Sequence, residues 1–281
     1  VDGGFVGGHA PAAVVPAGVL GVLEPETSKA TVIGLVLTPP DSNLSLAIDY
    51  FEIKIADEVA NLGAGGILAA CYLSDNFPGD PICNQFDRDP TLGITQVRDS
   101  FVNIAEQNNR GLDFTTRWFH DFDWGTLTLD SQTTWTLETN QSLFVDAPVD
   151  FRGDIGNPEL VGNINATISR GPWTAFWGFD WIGNQDDTPD FVRNNGLPFQ
   201  VIDGRTTQID AEAEFTSFHS ASLSYETGGW TVMGGVANIF DELPPAASSI
   251  AVGTTGNSVF TSQYTEAFYG RRGFVRLSKS F

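Results

Sequence analysis

Methionine occurs once, cysteine twice and histidine three times in the 281 residues of this chain. No run of about 18 apolar residues occurs, so there is no transmembrane helix. A membrane barrel escapes that exclusion, because its strands average their hydrophobicity away by alternation. His9, His120 and His219 are too scattered to read as a ligand set, and neither His-x-x-His nor Cys-x-x-Cys is present. No metal site and no cofactor are therefore expected. A Gly-rich phosphate loop is missing, and no serine has plausible His and Asp companions, which argues against an enzyme. Basic residues are few: 14 Lys and Arg against 35 Asp and Glu leave a formal charge of −21. Such a chain has no basic footprint for neutralising nucleic-acid phosphates. Val1 to Gly8 lacks the charged and apolar regions of a signal peptide, so the expectation is a mature product or a piece of a longer protein.

Glycine and aromatics are plentiful instead, with Gly 30, Phe 21 and Trp 7, which describes a β-rich chain with many turns. The last stretch, Tyr264 to Phe281, shows the dominant pattern. Val275, Leu277 and Phe281 fall on one face with Lys279, while Phe274, Arg276, Ser278 and Ser280 fall on the other. A two-residue period is a strand with one apolar and one mostly polar face. An apolar strand stopping at a terminal aromatic suits a membrane barrel, where that face meets lipid. The same period places strands at about 29–38, 44–55, 98–121, 124–138, 162–170, 173–184, 212–226 and 230–240, nine in all with the last. Leu127, Leu129, Trp135 and Leu137 share one face of the fourth; Thr126, Thr128, Asp130, Gln132, Thr134, Thr136 and Glu138 share the other. Trp173, Trp177, Phe179 and Trp181 lie together on the sixth, as aromatic girdles at two membrane interfaces would.

Connections alternate between short (121–125, 170–172, 227–229) and long (139–159, 185–210, 241–263), another barrel trait. Residues 1–28 read as an irregular segment, with 29–281 as barrel strands. Asp57 to Leu62 reads as one helical turn inside a long loop. That loop holds Cys71 and Cys83, a close pair suggesting a disulfide made in an oxidising compartment. Near Asn108 to Gly111 the third strand reads as bulged, with a turn as the alternative that would reverse all later sidedness. Asp186, Asp187 and Asp190 read as a solvated acidic loop, since their spacing fits no calcium loop.

Several elements resemble TonB-dependent outer-membrane receptors: Pro25-Glu26-x-Ser28, then a strand, a Pro-rich turn and Ile48-Asp49-Tyr50-Phe51. Asn103-Ile104-Ala105 with Gly111-Leu112-Asp113-Phe114, Asn238-Ile239-Phe240-Asp241, and Gly270-Arg271-Arg272 leading to a terminal Phe are similar to that family too. The resemblance implies an all-β transmembrane antiparallel barrel with long extracellular loops and short periplasmic turns. Family barrels have about 22 strands. The nine here would be the C-terminal strands of a larger plugged barrel, as a fragment, a processed piece or half of a split barrel. Phe281 would then be the signal read by the outer-membrane assembly machinery, and the Cys71–Cys83 disulfide would pin an extracellular loop. Arg117, Asp130, Gln132, Glu138, Glu214 and Arg276 would face the lumen, to meet substrate or plug, or to bond to one another. The implied function is energised uptake of a siderophore, vitamin or glycan, with the TonB complex, plug, remaining strands and outer-membrane lipid as partners. The alternatives are a structural or binding barrel subunit without transport and, third, a soluble β-sandwich lectin.

Overall fold

The computed structural model describes residues 13–19, 23–142, 148–189, 192, 199–202, 204–248 and 262–280. Phe281 and Asp190 lie outside the described residues. The chain divides into two compact units, one of residues 30–52, 109–139 and 150–281 and the other of residues 1–29, 53–108 and 140–149. Among the described residues no helix is long and apolar enough to cross a membrane.

The first unit is a wall of strands, made of all or part of β1 (Thr27–Leu37), β2 (Leu44–Asn61), β3 (Ile94–Phe122), β4 (Gly125–Ser142), β5 (Leu160–Arg170), β6 (Trp173–Ile182), β7 (Thr216–Thr227), β8 (Trp230–Ala237) and β9 (Arg272–Lys279). These nine strands hydrogen-bond in sequence order, as the alternation predicts. β3 is continuous through Asn108 to Gly111, so sidedness is not reversed there. Glycine is needed at 111, because a Cβ would sit 2.7 Å from both the Phe51 ring and the Trp135 carbonyl oxygen. The two-residue turn between Thr227 and Trp230 uses Gly228 and Gly229 at φ 55° and 80°, a left-handed pair that glycine adopts without penalty.

Register carries each strand's faces across the wall, since residues directly opposite in an antiparallel pair point the same way. Leu127, Leu129 and Trp135 of β4 stand opposite Ile168, Ala166 and Leu160 of β5. Ile168, Ala166 and Ile164 then meet Ala175, Trp177 and Phe179 of β6. That face continues through Leu223 and Ala221 of β7, Gly234 and Val236 of β8, and Val275 and Gly273 of β9. It is apolar yet exposed, with Val275 at 83% and Leu277 at 63%. Aromatics band both ends. Trp173 packs on Tyr225 at 4.5 Å and Lys279 lies 5.0 Å above the Trp230 ring at the short-turn end. Trp177, Phe179, Trp181, His219 and Phe240 cluster at the other.

The second unit holds the distal parts of β2, β3 and β4 with the cysteine loop. Helix α1 (Gly63–Leu73) is followed by a 3-10 turn (Pro81–Gln85) and a short strand, Phe86–Arg88, which pairs antiparallel with β3. Two expectations need correction. Residues 1–28 are not irregular throughout, for Ala13–Val19 is a strand running parallel to β3. Asp57 to Leu62 is not a helical turn either, since β2 runs on to Asn61. Side chains from elsewhere take its backbone groups: Val59 N–H donates to Glu26 at 3.2 Å and Asn103 donates to the Asp57 carbonyl at 2.6 Å. Tertiary pairing overrides the local helix preference there.

Candidate functional site

The second face of the wall is polar and holds most of the predicted site residues. Asp130 and Gln132 of β4 stand opposite Asn165 and Asn163 of β5, which stand opposite Gly178 and Asp180 of β6. Arg276 of β9 lies on the same face, reached through Met233 of β8 and Ser224 of β7. Arg117 and Asp130 form an ion pair at 3.7 Å, and Glu138 pairs with Arg110. Thr134 donates to Asp113 at 2.6 Å one step along the same strands. The Arg117 and Asp130 side chains are 67% and 43% exposed, so their pairing contributes about 0–1 kcal/mol. These groups are neighbours in a hydrated lining and are not gathered round one point.

Glu214 belongs elsewhere. It falls between the two-residue strand Glu212–Ala213 and β7, where its carbonyl accepts from the Thr216 hydroxyl at 3.0 Å. It lines a cavity of about 760 Å³ at the long-connection end of the first unit. Asp210, Glu212 and Glu242 line this cavity as well, beside the apolar Phe215 and Leu243. The setting is acidic and repels anions.

Beside the cavity the long connections are knitted into a small core. Tyr264 is fully buried among Ile182, Ala213, Phe218, Ala247 and Ala267. Gln185 donates to its hydroxyl at 2.6 Å while accepting from Gly156 N–H at 2.6 Å. Asp187 accepts from Ile155 N–H at 2.7 Å, and Gln263 donates to the Gly156 carbonyl at 2.8 Å. Burial raises the Tyr264 phenol above its ordinary value, so it stays neutral and bonded. Asp186 accepts from Thr188 N–H at 2.7 Å, so this acidic pair is used to fold loops. Tyr264, Gln185 and Asp187 hold the loops together and are positions that the alternation cannot reveal, because each acts once and in no period.

In the other unit Cys71 and Cys83 are joined by a disulfide. Asp80 sits between them in sequence, accepting from the Ser74 hydroxyl at 2.6 Å and from Ile82 N–H at 3.0 Å. Asp87 binds Arg98 through two contacts, at 2.6 and 3.0 Å. Arg88 bonds the Tyr72 hydroxyl and lies over the Phe86 ring at 5.3 Å. Tyr72, Leu73, Phe77 and Leu92 remain exposed around it.

A sheet with an exposed apolar face banded by aromatics, a polar reverse face, and short turns alternating with folded long loops is the wall of an outer-membrane β-barrel. The chain belongs to the family of TonB-dependent receptor-like β-barrels, which matches residues 3–239. Its apolar face is thus lipid-facing, its location is the bacterial outer membrane, and its long connections are the extracellular loops. Solved structures agree on the fold. A variant of the ferric enterobactin receptor PfeA of Pseudomonas aeruginosa shares 16% identity at a TM-score of 0.54, over 91% of this chain and 31% of its own. The siderophore receptor PirA of Acinetobacter baumannii shares 15% at 0.52, over 92% and 32%. The copper transporter OprC shares 13% at 0.51, over 95% and 34%. The chain thus spans about a third of the length of these receptors. No curated protein matches the chain.

Proposed function

We propose that this wall serves energised uptake of a scarce nutrient across the outer membrane, with TonB coupling import to the inner-membrane proton gradient. The observation that carries the reading is the unbroken division of faces from β4 to β9 in a chain of the TonB-dependent receptor family. Among the described residues β1 and β9 end the strand order. An unpaired strand edge in lipid costs several kcal/mol per group. Further strands therefore close the barrel, and a plug fills it. Arg117, Asp130, Gln132, Glu138 and Arg276 hydrate the lumen that the plug occupies. Phe281 serves as the assembly signal, and the disulfide-bound segment is an extracellular loop.

Cargo is a siderophore, a vitamin or a glycan, received first by the loops. The four carboxylates around the loop cavity favour cargo that is neutral or cationic where it touches them. Uptake of labelled ferric siderophores, cobalamin and oligosaccharides by cells with and without the gene encoding this chain tests the reading. One of these is expected to enter only when both the gene and TonB are present. Uptake that persists without TonB, or no difference for any cargo, overturns it.

A further inference from the structure

We propose that the long connections after β4, β6 and β8 are one folding unit, a lid seated on the lumen side of the wall, which opens only when all three move together. The inference rests on the division of faces and not on energised uptake, so the two can fail separately. Breaks in the alternation mark where the lid sits. Asn163 of β5 and Asp180 of β6 face each other on the polar side. Two residues nearer the long connections, Val161 and Ile182 face each other on that same side and are apolar. Phe218, opposite Asp180, carries the break into β7. Ile182 and Phe218 are 7% and 5% exposed, and the loop core around Tyr264 is what buries them. All three connections contribute to that core: Ile155 from the first, Ala213 from the second, Ala247, Tyr264 and Ala267 from the third. The loops therefore fold inward over the lumen face and away from the lipid.

Hydrogen bonds join every pair of connections. Gln185 of the second is buried and uses both ends of its amide on the other two, donating to the Tyr264 hydroxyl and accepting from Gly156 N–H. Asp186 N–H donates to the Gly153 carbonyl at 2.8 Å, between the second and first. Ser248 N–H donates to the Asp210 carbonyl at 2.6 Å, and Asp210 N–H donates to the Ser248 hydroxyl at 3.0 Å, between the third and second. The Gln263 amide closes the circuit on the Gly156 carbonyl. Withdrawing any one connection strips the shared core and leaves buried polar groups without partners, which costs more than the bond itself is worth. Partial opening is disfavoured, and the three behave as one cooperative unit. One stretch of the second connection stands apart. Phe199–Ile202 and Arg205–Gln208 pair with each other and with no further strand among the described residues, and Val201 is exposed.

Hydrogen exchange of the intact receptor carrying this chain, without cargo and under conditions where exchange follows opening, tests the lid by mass spectrometry. Peptides covering 150–159, 183–189, 209–215 and 262–268 are expected to be protected. They are expected to exchange in one correlated step, with twin isotope envelopes and rates that agree within about twofold. The hairpin at 199–208 is expected to exchange earlier and by itself. Gln185→Leu removes both amide bonds at similar volume and is expected to raise opening about tenfold in all four peptides. The same rise is expected at 246–248, outside the hydrogen bonds of the Gln185 side chain, with 199–208 unchanged. Separate rates for the four peptides in the wild type overturn the proposal, as does exchange at unstructured rates in any of them. So does a Gln185→Leu effect confined to the peptides holding Gly156 and Tyr264. The wild-type rates need no variant, so they decide the matter even where Gln185→Leu fails to fold.

Discussion

The strand wall and the disulfide-bound segment are held together by different kinds of interaction. In the wall the same contact repeats: each residue of β5 from Val161 to Ser169 meets one of β4 and one of β6 on its own face. A change at one position is judged by the face it falls on. The disulfide-bound segment has no such repeat. It depends on single contacts, namely the Cys71–Cys83 bridge, the two bonds to Asp80, the Arg98–Asp87 pair and the bond from Gly63 N–H to Asp99 at 3.1 Å. Repetition makes the wall tolerant along its length and strict across its faces. Single contacts make the segment strict at a few atoms and indifferent elsewhere.

The sharpest way to break this comparison is to place one charge on each face of adjacent wall residues. Ala166 stands opposite Leu129 and Trp177 on the lipid side, and Thr167 stands opposite Thr128 and Phe176 on the other. Ala166→Arg puts a guanidinium into hydrocarbon and is expected to cost about 2–4 kcal/mol, whereas Thr167→Arg is expected to cost under about 1 kcal/mol. Folding titrations of the intact receptor, followed by heat-modifiable migration in detergent gels, measure both. Equal losses for the two would show that the faces are not divided between lipid and lumen.

What was legible in the sequence follows the same division. The nine strands and their faces are carried by period two, which survives without any knowledge of partners. The continuity of β3 is not, since the period falters at Asn108 to Gly111 and only the family resemblance favours one strand there. The disulfide is legible because two cysteines in an otherwise cysteine-free chain leave few choices. Helix α1 is not. Its first turn holds Gly63, Gly65 and Gly66, and each glycine costs about 1 kcal/mol in a helix, so propensity hides it. Burial of Ile67, Ala70 and Cys71 settles it instead. Glu214 lies off the wall because β7 begins at Thr216, four residues later than the alternation from Glu212 suggests. The loop core of Tyr264 and Gln185 joins residues 79 apart in sequence by one hydrogen bond, and no periodicity reports that.

A smaller effect, confined to the other unit, is expected from removing the disulfide. The bridge closes a separation of 12 residues, which corresponds to about 3 kcal/mol of chain entropy removed from the open segment. Replacing both cysteines, Cys71→Ala with Cys83→Ala, is expected to expose the Gly63–Arg88 stretch to protease while the heat-modifiability of the wall stays unchanged. Reduction of the native protein should reproduce the cleavage. A loss of heat-modifiability in parallel would mean that the wall depends on this segment, and the contrast between repeated and single contacts would fail.

The smallest effect separates one contact within that segment. Bonds from the Ser74 hydroxyl, then from Ile82 N–H, favour the charged form of Asp80 and hold its carboxyl below the ordinary carboxylate value. A group whose pKa is lowered on folding adds stability above its unfolded pKa, and that stability is lost as pH falls through the folded pKa. The window is therefore below roughly pH 4. Asp80 is half-buried at the surface of this turn, so the effect is local, and it ends there. Pepsin cleavage of the segment followed from pH 4.5 down to pH 2 (about the span of a carboxylate titration) is expected to accelerate at the acid end in the native protein. Asp80→Asn, which keeps the shape and removes the charge, is expected to cleave faster at the upper end and to show a flatter profile. Matching profiles for the two proteins would mean that the Ser74 and Ile82 bonds do not hold the turn, leaving the disulfide alone to do so.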